Sequence, residues 1–194
     1  MTRVLLVCGS QRPASLNRRL LYAVAEHLPA YVACDFLLAE DVQLPLFDQE
    51  LERDPAVRMH LRQIHARFEA ADALIVASPE YNGLMTPYLK NLIDWVSRLP
   101  HVDPAAANAF IDRPVLLLSA TPGWSGGGMG IAALRALFGY TGAITFGETI
   151  CLPYAADAWD EAGNINPLLP TEHWGGCVHR FLAFAGSRIH EVAA

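Results

Sequence analysis

The chain has 194 residues, 53% hydrophobic and 18% charged, with a formal net charge of −6. That length builds one domain with a full core rather than two, and the acidic balance with no Lys/Arg run excludes a nucleic-acid partner, whose phosphate backbone needs basic patches. The cysteines at 8, 34, 151 and 177 form no C-x-x-C pair, no apolar run approaches a membrane span and no signal peptide follows Met1, so the expectation is one domain over residues 1–194, cytoplasmic and without membrane contact.

Val4-Leu5-Leu6-Val7 reads as a buried strand running to Cys8. From Ser15 the apolar residues Leu16, Leu20, Val24 and Leu28 fall four apart, which predicts a helix over 15–28. Between them, Gly9 to Asn17 holds Ser10, Arg12, Ser15, Asn17 and several backbone N–H groups beside a helix N-terminus. A phosphate dianion needs such a set: donors aimed at one point, the positive end of a helix dipole and one fixed cation. Each hydrogen bond to a charged oxygen is worth about 1.5–3 kcal/mol. The loop has neither the G-x-G-x-x-G of dinucleotide folds nor the G-K-[ST] of a P-loop, and it suits the terminal phosphate of a mononucleotide. The alternative is an ordinary strand–helix turn capped by Ser15.

A second strand is predicted at 31–38, diluted by Ala33 and Cys34, before Pro45 turns the chain. Asp54-Pro55 supplies an N-cap and a first-turn proline for a helix through Val57, Leu61, Ile64 and Phe68 to about Ala71, with His60 and His65 expected in solvent. Ala73–Ala77 is a third buried strand, followed by Ser78-Pro79-Glu80-Tyr81-Asn82-Gly83, where Asn82-Gly83 suits a tight turn with positive φ. The next helix covers 86–99, its inner face Leu89, Leu92, Ile93 and Val96, with Lys90 and Asp94 spaced as a surface pair. A fourth strand at 115–119 leads into the glycine-rich Thr121-Pro122-Gly123-Trp124-Ser125-Gly126-Gly127-Gly128, then a helix at 131–138 and a short fifth strand at 143–147. An irregular excursion over 157–170 precedes a closing helix at 171–185. His173 and Cys177, four apart near His179, lack a second ligand cluster, so no metal site is expected.

Alternating strands and helices with short connections imply an α/β, doubly wound, five-stranded parallel sheet in the order 2-1-3-4-5 with helices on both faces. In that order a crevice opens beyond the carboxyl ends of strands one and three. The loops after strands one, three and four meet there, and they are the stretches richest in Gly, Pro, Ser, Asn and Tyr. Their convergence at the topological switch point makes one site.

Three stretches in order, Gly9 to Asn17, Ser78 to Gly83 and Leu89-Lys90-Asn91-Leu92-Ile93-Asp94-Trp95, resemble the NADPH-dependent FMN reductase family, flavodoxin-like enzymes that include quinone, chromate and azo-dye reductases. The resemblance implies FMN as cofactor and NADPH or NADH as electron donor, with hydride received at the flavin N5 atom and passed on to a small acceptor by a ping-pong route. It implies that Ser10, Arg12, Ser15, Leu16 and Asn17 surround the FMN phosphate. Pro79, Glu80, Tyr81, Asn82 and Gly83 would run along the ring, and Ser119, Thr121, Gly123 and Gly126 would border it from the far side. A homodimer or homotetramer with the Lys90–Trp95 helix near the subunit interface goes with it. The flavin carries the chemistry, so no catalytic acid–base pair is required. Two other readings stay open: a serine hydrolase using Ser125 of Gly123-Trp124-Ser125-Gly126-Gly127 with Asp157 or Asp160 and His173, and a flavodoxin-type electron carrier.

Overall fold

The apolar runs of the sequence pair as one parallel sheet. β1 (Arg3–Cys8), β2 (Ala33–Leu37), β3 (Ala73–Ala77), β4 (Pro114–Ala120) and β5 (Ile144–Leu152) lie in the order β2-β1-β3-β4-β5, the order that short right-handed crossovers favour. The structure is a computed structural model that describes residues 2–160, 164–167, 169 and 171–192, with only the backbone of 188–192. Alternate residues of each strand feed two cores. Val4, Leu6, Cys8, Ile75 and Leu118 face α1 (Leu16–Ala25) and α5 (Glu172–Val192), whereas Leu5, Val7, Val76 and Leu117 face α2 (Pro55–Glu69), α3 (Pro87–Val102) and α4 (Gly128–Tyr140). Both faces of the sheet are covered, which is why β1, β3 and β4 read as unbroken apolar runs.

Helix starts follow local chemistry. Ser15 Oγ accepts the N–H groups of Asn17 and Arg18 to cap α1, Asp54 caps α2 ahead of Pro55, and Thr86 caps α3 ahead of Pro87. α4 has no side-chain cap of its own; it follows Gly127, held at φ 88°. Its Gly130 N–H donates instead to the Glu80 carboxylate at 2.9 Å. α1 ends at Ala25, short of Leu28, because His27 and Leu28 bond three residues back in a tighter turn before Pro29.

Three expectations shift. The fifth strand runs to Leu152 rather than Gly147. Val115 pairs with Thr145 and Leu117 with Thr149, so β5 bulges by two residues against β4. The Arg135 guanidinium takes up the carbonyls of Phe146 and Gly147 there. His65 is buried rather than exposed, 2% accessible, with Nε2 2.9 Å from the Ala107 carbonyl oxygen. Within the 157–170 excursion, Trp159 and Ile165 form an antiparallel bridge; residues 161–163, 168 and 170 lie outside the described residues. Among the described residues no helix is long and apolar enough to cross a membrane.

Candidate functional site

Side chains bind the loops at the carboxyl ends of β1, β3 and β4 together. The Asn17 amide pairs with the end of β4 like a peptide group: Nδ2 donates to the Ala120 carbonyl at 2.8 Å and Oδ1 accepts the Ala120 N–H at 2.9 Å. Thr86 Oγ1 donates to the Gly9 carbonyl at 2.6 Å, tying the start of α3 to the first loop. Ser119 Oγ donates to the Ser78 carbonyl at 2.8 Å. All of these side chains are buried. The close approach also needs glycine: a Cβ on Gly127 would stand 1.9 Å from Ser119 Oγ.

Over this tied layer lies a second set of groups with open hydrogen-bonding capacity. The hydroxyls of Ser10 and Ser15 are 2% and 3% exposed. Both accept backbone N–H groups, from Arg12 at 3.4 Å and from Asn17 and Arg18 at 3.2 and 3.3 Å. Neither hydroxyl proton has an acceptor among the described residues. The N–H groups of Gln11, Ala14, Ser15 and Leu16 likewise bond no carbonyl there, and the exposed Arg12 guanidinium has no carboxylate. Two hydroxyl donors, several N–H groups at the α1 N-terminus and one unpaired cation are the donor set of a dianion, so the residues present fit a phosphate. Neighbouring cations are occupied elsewhere. Arg18 bonds Glu40, and the Arg19 guanidinium lies 5.9 Å over the Trp159 ring.

After β3, Tyr81 and Leu84 bridge each other across a two-residue turn, with Asn82 at φ 52° and Gly83 at φ 79°, the doubly positive geometry that Asn-Gly favours. The N–H groups of Asn82 and Gly83 are open among the described residues. Gly126, at φ 59°, packs so closely on β5 that a Cβ would meet Cys151 Cβ and the Pro153 nitrogen at 3.2 Å. Gly123 and Trp124 stand out in solvent, Trp124 80% exposed.

The predicted residues therefore divide. Ser10, Arg12, Ser15 and Leu16 present open donors, and Pro79, Tyr81, Asn82, Gly83, Gly123 and Gly126 form the neighbouring loop walls. Asn17 uses its amide on Ala120, Glu80 its carboxylate on α4, Ser119 its hydroxyl on Ser78, and Thr121 its hydroxyl on Gly123 at 3.2 Å. These four position the loops. Thr86 and Ser78 belong to the same framework, and the sequence analysis missed their role; the N-cap pattern marks Thr86 but not its partner at Gly9. Trp95, at the end of the stretch expected near a subunit interface, is fully buried. Its indole N–H and the Asn91 amide both donate to the Pro45 carbonyl, at 2.8 and 2.9 Å, inside the same chain. Beneath the first loop, burial pushes the Cys8 thiol up, and it pushes the Tyr88 hydroxyl up more strongly, so both stay protonated at neutral pH.

Ser125 Oγ accepts the Gly127 N–H at 3.3 Å, and no histidine bonds it among the described residues. The hydrolase geometry is not assembled. Among the described residues no group of three or more His, Cys, Asp or Glu is placed to hold a metal.

A family model for NADPH-dependent FMN reductase matches residues 2–157. An NAD(P)H:quinone oxidoreductase of Solanum tuberosum is 34% identical over 122 residues, 62% of this chain and 59% of that one. A 2-hydroxy-1,4-benzoquinone reductase of a Burkholderia species is 31% identical over 140 residues, 71% of this chain and 70% of that one. The chain thus spans about three-fifths of the potato protein's length. Among solved structures, the flavoenzyme NAD(P)H:(acceptor) oxidoreductase of Paracoccus denitrificans superposes with a TM-score of 0.81 at 22% identity, covering 97% of this chain and 99% of that one. An azoreductase of Bacillus anthracis does so with 0.60 at 16% identity, covering 100% and 99%. At those identities the likeness establishes the fold.

Proposed function

The chain belongs to the NADPH-dependent FMN reductase family, and from that premise we propose that it is an FMN-dependent NAD(P)H oxidoreductase, passing electrons by a ping-pong route to a small acceptor such as a quinone, azo or nitro compound, metal oxyanion or free flavin. The observation that carries this reading is the open donor set after β1, standing on the Asn17, Thr86 and Ser119 ties beside the Asn82-Gly83 turn.

In this reading Ser10, Arg12, Ser15 and the N–H groups from Gln11 to Leu16 hold the phosphate. The turn at Asn82-Gly83 and the Gly123–Gly126 loop flank the ring. Bound FMN supplies hydride acceptance and electron transfer. The protein's part is to orient and to exclude. Asn17, Thr86 and Ser119 fix the loop spacing, and buried hydroxyls already held by backbone N–H groups need little reorganisation when the anion arrives. The glycines let backbone rather than side chains form the walls, which leaves room for a flat ring. A single flavodoxin-like domain over 1–194, assembly as a homodimer or homotetramer and a cytoplasmic location belong to the same proposal.

The test is the absorption spectrum of the purified protein. A yellow protein that bleaches when NADH or NADPH is added without oxygen supports the reading. A colourless protein that fails to take up added FMN overturns it, and a yellow protein bleached by neither nucleotide replaces it with an electron carrier.

A further inference from the structure

A second cavity lies one step along the same edge of the sheet. It has a volume of about 330 Å³ and is lined by Pro153, Tyr154, Asp157, Asn166, His173 and Trp174, among others, large enough for a nucleoside. Its near wall is bonded directly to the loop that borders the candidate site: the Tyr154 N–H donates to the Gly123 carbonyl at 3.1 Å and the Ala155 N–H to the Thr121 carbonyl at 2.9 Å. With parallel strands about 4.8 Å apart, the end of β5 is about 10 Å from the end of β3, a span that the diphosphate and sugars of a dinucleotide bridge.

The cavity's chemistry is selective. Buried Trp174 and Ala158 provide apolar wall, and Tyr154 adds an aromatic ring that is 61% exposed. Tyr154 sits at φ 49°, one of the few non-glycine residues in the left-handed region. Bulky residues hold that strained conformation only where the surroundings over-determine it, and such strain concentrates at ligand sites. Among the described residues the exposed Asp157 carboxylate in the wall has no Lys or Arg partner and no Lys or Arg lines the cavity, His173 being the imidazole there. A flat, neutral base stacks against such walls, and a sugar diol donates to the carboxylate. A phosphate on the sugar would set negative charge against Asp157, with no Lys or Arg among the described lining residues to offset it.

We propose that this cavity receives the adenosine half of the dinucleotide donor, and that Asp157 selects the unphosphorylated ribose of NADH over the 2′-phosphate of NADPH. The proposal rests on the reading of the chain as an NAD(P)H oxidoreductase.

Two measurements on the FMN-loaded protein test it. The first compares the concentrations of NADH, NADPH and reduced nicotinamide mononucleotide, which lacks adenosine, that half-saturate anaerobic bleaching. NADH is expected to act at concentrations at least tenfold below either of the others. Asp157→Asn should narrow the NADH-over-NADPH ratio at least fivefold. Tyr154→Asn, which keeps a residue tolerant of positive φ and removes the ring, should bring NADH towards the mononucleotide. The second follows tryptophan fluorescence on adding adenosine or adenosine 2′-monophosphate. Adenosine should bind the wild type and bind Tyr154→Asn at least tenfold more weakly, while the 2′-phosphate should gain affinity in Asp157→Asn. NADH and the mononucleotide saturating alike, an NADPH preference, or adenosine binding insensitive to Tyr154→Asn would overturn the proposal. If none of the three donors bleaches the flavin, the oxidoreductase reading fails, and adenosine binding still judges the cavity.

Discussion

The two ends of the sheet's carboxyl edge are built on opposite rules. Where β1, β3 and β4 end, the inner polar side chains bond the backbone of neighbouring segments, Asn17 at Ala120, Thr86 at Gly9 and Ser119 at Ser78, and the donors above them are open. Where β5 ends, the described wall is mostly apolar and aromatic, with the Asp157 carboxylate and no Lys or Arg among its described residues. The first end suits a small, highly charged group; the second suits a neutral ring. The difference teaches that a charged-ligand site needs two layers. Donors stay open at fixed positions here because the backbone ties beneath them hold the loops.

That claim breaks most directly at the lower layer. Asn17→Ala leaves both the N–H and the carbonyl of Ala120 buried without partners, at about 1–3 kcal/mol each. An expected loss of about 4 kcal/mol would lower Tm by roughly 8–16 °C for a chain of this size. Thermal melting checks it, and a shift within a degree or two would show that the tie is not what spaces the loops. Gly127→Ala should come next. Its Cβ would stand 1.9 Å from Ser119 Oγ, at a φ of 88°. Overpacking and a left-handed alanine together cost about 3 kcal/mol, again read by melting.

The comparison also explains what the sequence could and could not reveal. The buried strands β1, β3 and β4 were legible because both of their faces are covered, so each is a continuous apolar run. The Asn82-Gly83 turn and the Ser15 cap were legible because their chemistry is local. Asn17 looked like a phosphate ligand because its partner lies 103 residues away, and no local pattern announces that pairing. The second half of β5 was hidden by Gly147-Glu148, where the strand bulges and Arg135 rather than β4 satisfies the carbonyls. His65 reads as polar, yet it shares the inward face of α2 with Leu61, Ile64 and Phe68. The β5 cavity joins residues between 151 and 158 to Asn166, Leu169, Thr171, His173 and Trp174, stretches with no shared periodicity, so as a pair Asp157 and His173 suggested a hydrolase.

Changes in the upper layer should affect ligand affinity more than folding. Arg12→Ala is expected to weaken FMN retention by about 1–3 kcal/mol, roughly 5- to 150-fold in Kd, with Tm of the FMN-free protein unchanged because the Arg12 side chain bonds nothing among the described residues. Ser15→Ala should do both: a similar loss of FMN affinity and about 1 kcal/mol of stability, since its hydroxyl also caps α1. Fluorescence titration with FMN, beside melting of the FMN-free protein, separates the two. Equal melting losses in Arg12→Ala and Asn17→Ala would erase the distinction between layers.

The smallest effect concerns the tie between α1 and the loop after β2. Hydrogen bonding at its own backbone and to the Arg18 guanidinium holds the Glu40 carboxyl below its ordinary value of 4.5. A carboxyl lowered by folding stabilises the fold while it is ionised in the unfolded chain as well, so its contribution is complete above that ordinary value and is lost as pH falls through the lowered one. The pair is exposed on the Glu40 side, and screening keeps its worth small. Glu40→Gln should therefore melt slightly below the wild type at neutral pH, and the gap should shrink as pH falls below the ordinary carboxyl value. A gap that persisted in acid would mean that Glu40 acts through packing rather than charge. Arg18 would then be held beside the first loop without its partner's charge.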